Sequence, residues 1–122
     1  TPEDGLVLYN LGNALMCVGN IPDAIQAYAA ARRQAETAQL CHNYGIALLT
    51  SGDHQGALDQ FARIPILAPE LTGLALYRQG TALEAMGKRE EAMGLFQRAA
   101  MADPPSAEAR RRLSDDTATP QR

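Results

Sequence analysis

With 122 residues, 46% hydrophobic but only 5% aromatic and no Trp, the chain has room for one domain whose core is built from small side chains. Abundant Ala and sparse β-branched residues favour closely packed helices and weigh against a sheet protein. The net charge of −3 and pI near 5.3 argue against a nucleic-acid partner, and no uninterrupted apolar run reaches the roughly 18 residues of a membrane span.

In chain order, residues 6–18 carry apolar side chains at helical spacing, and Gly19-Asn20 closes that helix. Asn20 is placed to cap the next helix, with Pro22 tolerated in its first turn and Asp23 opposite the positive end of the dipole. This partner helix is expected to run to about residue 34. Gly52-Asp53 repeats the punctuation, and Gly87-Lys88 does so with a poorer cap. Pro65, in "RIPILAPE", removes a hydrogen bond and clashes with the preceding turn, so its helix is expected to stop near Ala62 to Ile64. After Pro104-Pro105, Ser106 is positioned to cap a short helix over residues 107–113, followed by a flexible polar tail, 114–122. No signal-peptide pattern is seen and the chain opens on Thr1, so it reads as an excised or processed piece of a longer protein, with the cytoplasm as the expected compartment.

The segments are copies of one another. "NLGNALMCVGNIPDAIQAY" (10–28) aligns without gaps with "NYGIALLTSGDHQGALDQF" (43–61) and "RQGTALEAMGKREEAMGLF" (78–96). Each copy has a glycine inside its first helix (Gly12, Gly45, Gly80) and a second at the turn (Gly19, Gly52, Gly87). An Ala (Ala24, Ala57, Ala92) and an aromatic (Tyr28, Phe61, Phe96) then follow at fixed offsets. Pro69 and Pro104 close the second and third copies. A mid-helix glycine costs about 1 kcal/mol relative to Ala. Its recurrence implies a tight crossing between the two helices of a unit, with the aromatic filling the wedge towards the next unit. Gly5, Gly56, Gly73 and Gly94 fall outside this explanation.

The pattern of a large residue, Leu-Gly, a large residue, then Ala, an aromatic and Pro resembles the tetratricopeptide (TPR) family. Its carriers are Leu8, Leu11, Gly12, Leu15, Ala24 and Tyr28 in the first copy. The second has Cys41, Tyr44, Gly45, Leu48, Ala57, Phe61 and Pro69, and the third Leu76, Gln79, Gly80, Leu83, Ala92, Phe96 and Pro104. Glu36 stands where the first copy would have Pro, and Cys41 and Gln79 are smaller or more polar than the pattern. The resemblance implies an all-α fold: an α-solenoid of three helix-turn-helix TPR units plus a C-terminal capping helix. One domain is expected over residues 1–113, with repeats at about 5–37, 38–72 and 73–106 and the capping helix at about 107–113.

No nucleophile with a base, paired carboxylates or phosphate loop stands out, so the chain reads as a non-enzyme. Cys17 and Cys41 have no metal or redox spacing and read as buried or half-buried small hydrophobes. His42 and His54 lack companion ligands, so no metal or cofactor is expected. Arg110 to Arg112 read as a solvated face of the capping helix, not as a nucleic-acid patch.

The resemblance implies that first helices line a concave, peptide-binding groove. Its expected walls are Leu6, Tyr9, Asn13, Met16 and Cys17, then Gln39, His42, Ile46, Leu49 and Thr50, then Leu74, Tyr77, Thr81, Glu84 and Ala85, bordered by Asn10, Asn43 and Arg78. Of these, Tyr9, Asn13, Met16, His42, Asn43, Ile46, Leu49, Leu74, Tyr77, Arg78 and Thr81 are the candidate peptide-binding residues. Such a wall suits a protein or peptide ligand that is apolar with few acidic residues. Co-chaperone TPR domains grip a C-terminal carboxylate with a clamp of Lys, Asn and Arg. Asn13, Asn43 and Arg78 match it, but Tyr9 and Leu74 replace both lysines, which removes most of the charge. The function expected is a scaffold or adaptor segment of a larger protein. A homo-oligomerising module and a regulatory or substrate-docking segment of a larger enzyme are the alternatives.

Overall fold

Asx and hydroxyl caps at Thr1, Asn20, Thr37, Asp53 and Ser106 set the rhythm of the chain. In the computed structural model, which describes residues 1–118, α1 spans Pro2–Cys17 and α2 Ile21–Gln34, the latter capped by Asn20. Thr37 caps α3 (Ala38–Ser51), accepting from the Leu40 N–H at 3.1 Å. Asp53 caps α4 (His54–Leu67), accepting from the Gly56 N–H at 2.9 Å. A 3-10 turn at Pro69–Leu71 leads into α5 (Thr72–Ala85), and α6 (Arg89–Ala100) follows with no side-chain cap at Lys88. Ser106 Oγ accepts from the Ala109 N–H at 3.1 Å and starts α7 (Ala107–Ala118). All regular structure among the described residues is helical. The turn glycines Gly19, Gly52 and Gly87 have φ of 81°, 93° and 80°, the left-handed conformation that lets each hairpin close without a Cβ penalty.

Each helix packs on its chain neighbours, so the three hairpins stack into a solenoid. The core alternates the second helix of one unit with the first helix of the next. Tyr28 and Ala31 pack with Leu40 and Ala47, Phe61 and Ile64 with Ala75 and Ala82, and Phe96 and Ala99 with Ala109 of α7. The mid-helix glycines are explained by rings of their own unit. A Cβ on Gly12 would stand 2.5 Å from Tyr28 Cε1, and one on Gly80 2.5 Å from Phe96 Cε1; Gly45 is covered by Phe61 in the same way. The aromatic therefore does two jobs: it lies on the glycine of its own hairpin and reaches the next one.

Four local expectations are corrected. Helix α4 runs through Pro65 to Leu67, with the Ala68 N–H bonding Ile64 C=O at 2.8 Å. Pro65 lies in the last turn, so it forfeits one hydrogen bond, and the helix resumes for two residues beyond it. Helix α7 extends past residue 113 to Ala118, so residues 114–118 are helical; the tail expected at 119–122 lies outside the described residues. Cys17 is exposed, because it lies on the open groove face of α1, as its register counterparts Thr50 and Ala85 do on α3 and α5, whereas Cys41 is fully buried. Glu84, expected on an exposed wall, is half-buried and ion-paired to Arg112 of α7.

Glu36 supplies what the missing loop proline does not. Its carboxylate accepts from Arg63 Nη2 of α4 at 2.7 Å and from Arg32 Nη2 of α2 at 2.9 Å, tying two hairpins through the connecting loop. The Arg63 hydrogen bond, with help from Arg32, pulls its pKa down to about 2.

Candidate functional site

Helices α1, α3 and α5 present side chains to a shared open groove of about 460 Å³. Met16 and Ile46 form apolar wall, while Asn13, His42, Asn43 and Arg78 supply the polar groups. Cys17 and Tyr28 complete the lining.

A continuous hydrogen-bonded line crosses this floor from the third unit to the first. Arg78 Nε donates to His42 Nε2 at 3.0 Å, which fixes Nε2 as the acceptor and leaves the ring proton on Nδ1. His42 Nδ1 donates to Asn43 Oδ1 at 3.0 Å, and Asn43 Nδ2 donates to Tyr9 Oη at 2.9 Å and Asn13 Oδ1 at 3.0 Å. Tyr28 Oη donates to the same Asn13 Oδ1 at 2.6 Å. Burial, opposed by the Asn43 hydrogen bond and aided by the nearby Arg78 charge, lowers the His42 pKa, so the imidazole is neutral at physiological pH. Burial likewise pushes the Tyr28 hydroxyl up to about 12, which keeps it a donor. Asn13 Oδ1 and Asn43 Oδ1 both accept along this line, whereas the Asn13 amide N–H groups, the Tyr9 hydroxyl proton and the Arg78 Nη atoms are not called on among the described residues. The floor is a row of donors with one fixed positive charge.

The structure gathers six of the expected residues, Asn13, Met16, His42, Asn43, Ile46 and Arg78, around this groove, with Tyr9 joined through Asn43. Leu74 lies in a separate hollow with Leu71, Pro104 and Pro105. Tyr77 stacks at 5.6 Å on Phe96 and faces α7, in a hollow with Glu108 and Arg111. Leu49 packs against the core cluster around Phe61, and the Thr81 hydroxyl donates to Arg78 C=O at 2.7 Å. Sequence reasoning missed the groove role of Tyr28; its signal is the hydroxyl, since the other units have Phe61 and Phe96 at this place. It also missed that α7 borders the third unit's end of the surface through Arg111 and Arg112.

No curated protein matches the chain. Among solved structures, the first TPR of Spaghetti (RPAP3), bound to the HSP90 peptide SRMEEVD, superposes with a TM-score of 0.79 at 24% identity, over 98% of this chain and 97% of that one. The second TPR domain of human RPAP3, in complex with the HSP70 peptide SGPTIEEVD, gives 0.80 at 24% identity over 94% and 97%. The Arabidopsis OM64 TPR domain gives 0.78 at 24% identity over 94% and 98%. At these identities the likeness is one of fold. The sequence profile of the tetratricopeptide repeat matches residues 9–72 and, in a second profile of the same repeat, residues 75–108, and with the three stacked hairpins this makes the chain a member of the tetratricopeptide repeat family.

Proposed function

We propose that the chain is a protein-interaction module that holds a partner peptide against α1, α3 and α5, as a scaffold or adaptor segment and not as a catalyst. The donor-rich line from Arg78 to Asn13, flanked by Met16 and Ile46, is the observation that carries this reading. Such a floor suits main-chain carbonyls and one acidic side chain, while the walls take apolar ones. Two of the solved neighbours above, the RPAP3 domains, hold peptides ending in EEVD. Here Tyr9 and Leu74 offer no cation in place of the clamp lysines, and Asn13 and Asn43 are already bonded to each other. The ligand is therefore apolar with few acidic residues, bound in the micromolar range, about −8 kcal/mol. A cytoplasmic location belongs to the same proposal.

The test is a peptide selected on the immobilised chain from a random library, with affinity measured by fluorescence polarisation. Arg78→Ala and Met16→Ala should each weaken it by roughly 1–2 kcal/mol with the fold intact. Undiminished binding by both variants would remove the groove as the site.

A second reading, self-association, draws on the outer face of α1. Val7, Leu11 and Val18 are exposed there by 66%, 49% and 78%, although the counterparts of the first two in the second unit, Leu40 and Tyr44, pack in the cluster where α3 meets α2, and Leu40 is buried. Light scattering that finds a monomer at high concentration would end this reading.

A further inference from the structure

Beside the polar floor, where the first turn of α1 meets the loop between α2 and α3, lies a recess of about 290 Å³. Its wall is Gly5, Leu6, Tyr9, Ala35, Thr37 and Leu40, with Gln39 at the rim. Three observations define what it takes. First, none of these residues is charged; Thr37 Oγ1 caps α3, and Tyr9 Oη accepts from Asn43 on its groove side. Second, Leu6 is 59% exposed, an aliphatic side chain held open to solvent at the recess edge. Third, the volume falls just under the roughly 300–1,000 Å³ of small-molecule sites, which suits one large side chain better than a cofactor.

The repeat explains why the space exists. Gly5, Ala38 and Gly73 occupy one register position, and at both glycines the chain leaving their own hairpin passes close by. A Cβ on Gly5 would stand 3.1 Å from Gln34 Cβ, and one on Gly73 2.7 Å from Pro104 O. The next residue in each copy is Leu6, Gln39 or Leu74, so the first unit pairs a glycine with an exposed Leu beside the Tyr9 ring. Tyr9 lines the recess and is hydrogen-bonded to Asn43 of the groove, and Arg78 is the groove lining's single charged residue. The two linings are therefore graded, uncharged in the recess and cationic at Arg78, and their complement is a ligand graded in the opposite sense.

We infer that this recess seats one bulky apolar side chain, aliphatic or aromatic, of the peptide held in the groove, with any acidic residue of that peptide lying towards Arg78. The inference rests on the groove reading above. The probe is N-acetyl-leucinamide, with N-acetyl-asparaginamide as the polar control, followed through the backbone amide NMR signals of the full chain. Leucinamide should shift the amides of Gly5, Ala35, Thr37 and Leu40 while asparaginamide leaves them in place. The exposed Leu6→Ser variant should lose the response, and should bind the library-selected peptide about tenfold more weakly at an unchanged melting temperature. Equal shifts with both amides, or no shift at these positions, overturn the recess. So does a selected peptide indifferent to Leu6→Ser. The groove reading fails separately, by undiminished peptide binding in both Arg78→Ala and Met16→Ala, substitutions outside the recess that leave the leucinamide response unaltered.

Discussion

Gly80→Ala and Gly94→Ala add the same methyl group to neighbouring helices of one unit, and they should move stability in opposite directions. In a helix, Ala is favoured over Gly by up to about 1 kcal/mol. At Gly94 a Cβ meets nothing within 4 Å, so most of that gain is expressed. At Gly80 the Cβ would stand 2.5 Å from Phe96 Cε1 and 2.8 Å from Cδ1. The ring is fully buried, with Tyr77 at 5.6 Å and the Arg112 guanidinium at 5.6 Å, so it cannot simply swing aside. Overpacking of this kind costs about 1–3 kcal/mol, which outweighs the propensity gain and leaves a net loss of about 1 kcal/mol. Thermal melts by circular dichroism should show Gly80→Ala lowered by about 4 °C and Gly94→Ala raised by about 2–4 °C. A Gly80→Ala protein that melts at or above the wild type would refute the account of the repeated glycines.

Other outcomes follow from the connecting segments. Glu36→Gln breaks the bridge between Arg32 and Arg63 and should cost about 1 kcal/mol in urea titrations. Because the Glu36 pKa is lowered from 4.5 to about 2, its stabilisation is complete above pH 4.5 and is lost as pH falls towards 2; the variant should lack this acid-dependent component. His42 works in the same direction at milder pH. Its lowered pKa means that the unfolded chain takes up a proton first, so stability should decline below about pH 6.5, and His42→Gln should flatten that decline. Ser106→Ala removes the cap of α7 and should cost about 1 kcal/mol, seen as earlier loss of amide protection in residues 107–113.

The fold was legible because its determinants are local and repeated. Spaced Gly, Ala and aromatic residues mark the hairpins, and Asn20, Asp53 and Ser106 mark helix starts, all within a few residues of the features they control. What escaped the sequence depends on partners far along the chain. Arg63 reaches Glu36 across 27 positions, and Arg112 reaches Glu84 across 28. Pro65 was misjudged because the rule for proline ignores how little helix remains after it. At the candidate site, repeat register named the residues on the first helices, but the order of donors and acceptors from Arg78 to Tyr28 depends on rotamers that periodicity does not specify. Gly5 and Gly73 answer to the chain leaving each hairpin, which passes beside them about 30 positions further along, beyond the reach of local pattern.

The central claim, that partners are held on the face shared by α1, α3 and α5, is tested most directly by mapping the library-selected peptide on the chain through its amide NMR signals. The account predicts the largest shifts at Asn13, Asn43, Ile46 and Arg78, with small ones in α2, α4 and α6. Shifts concentrated on those second helices, or along Val7, Leu11 and Val18 at the outer edge of α1, would contradict it.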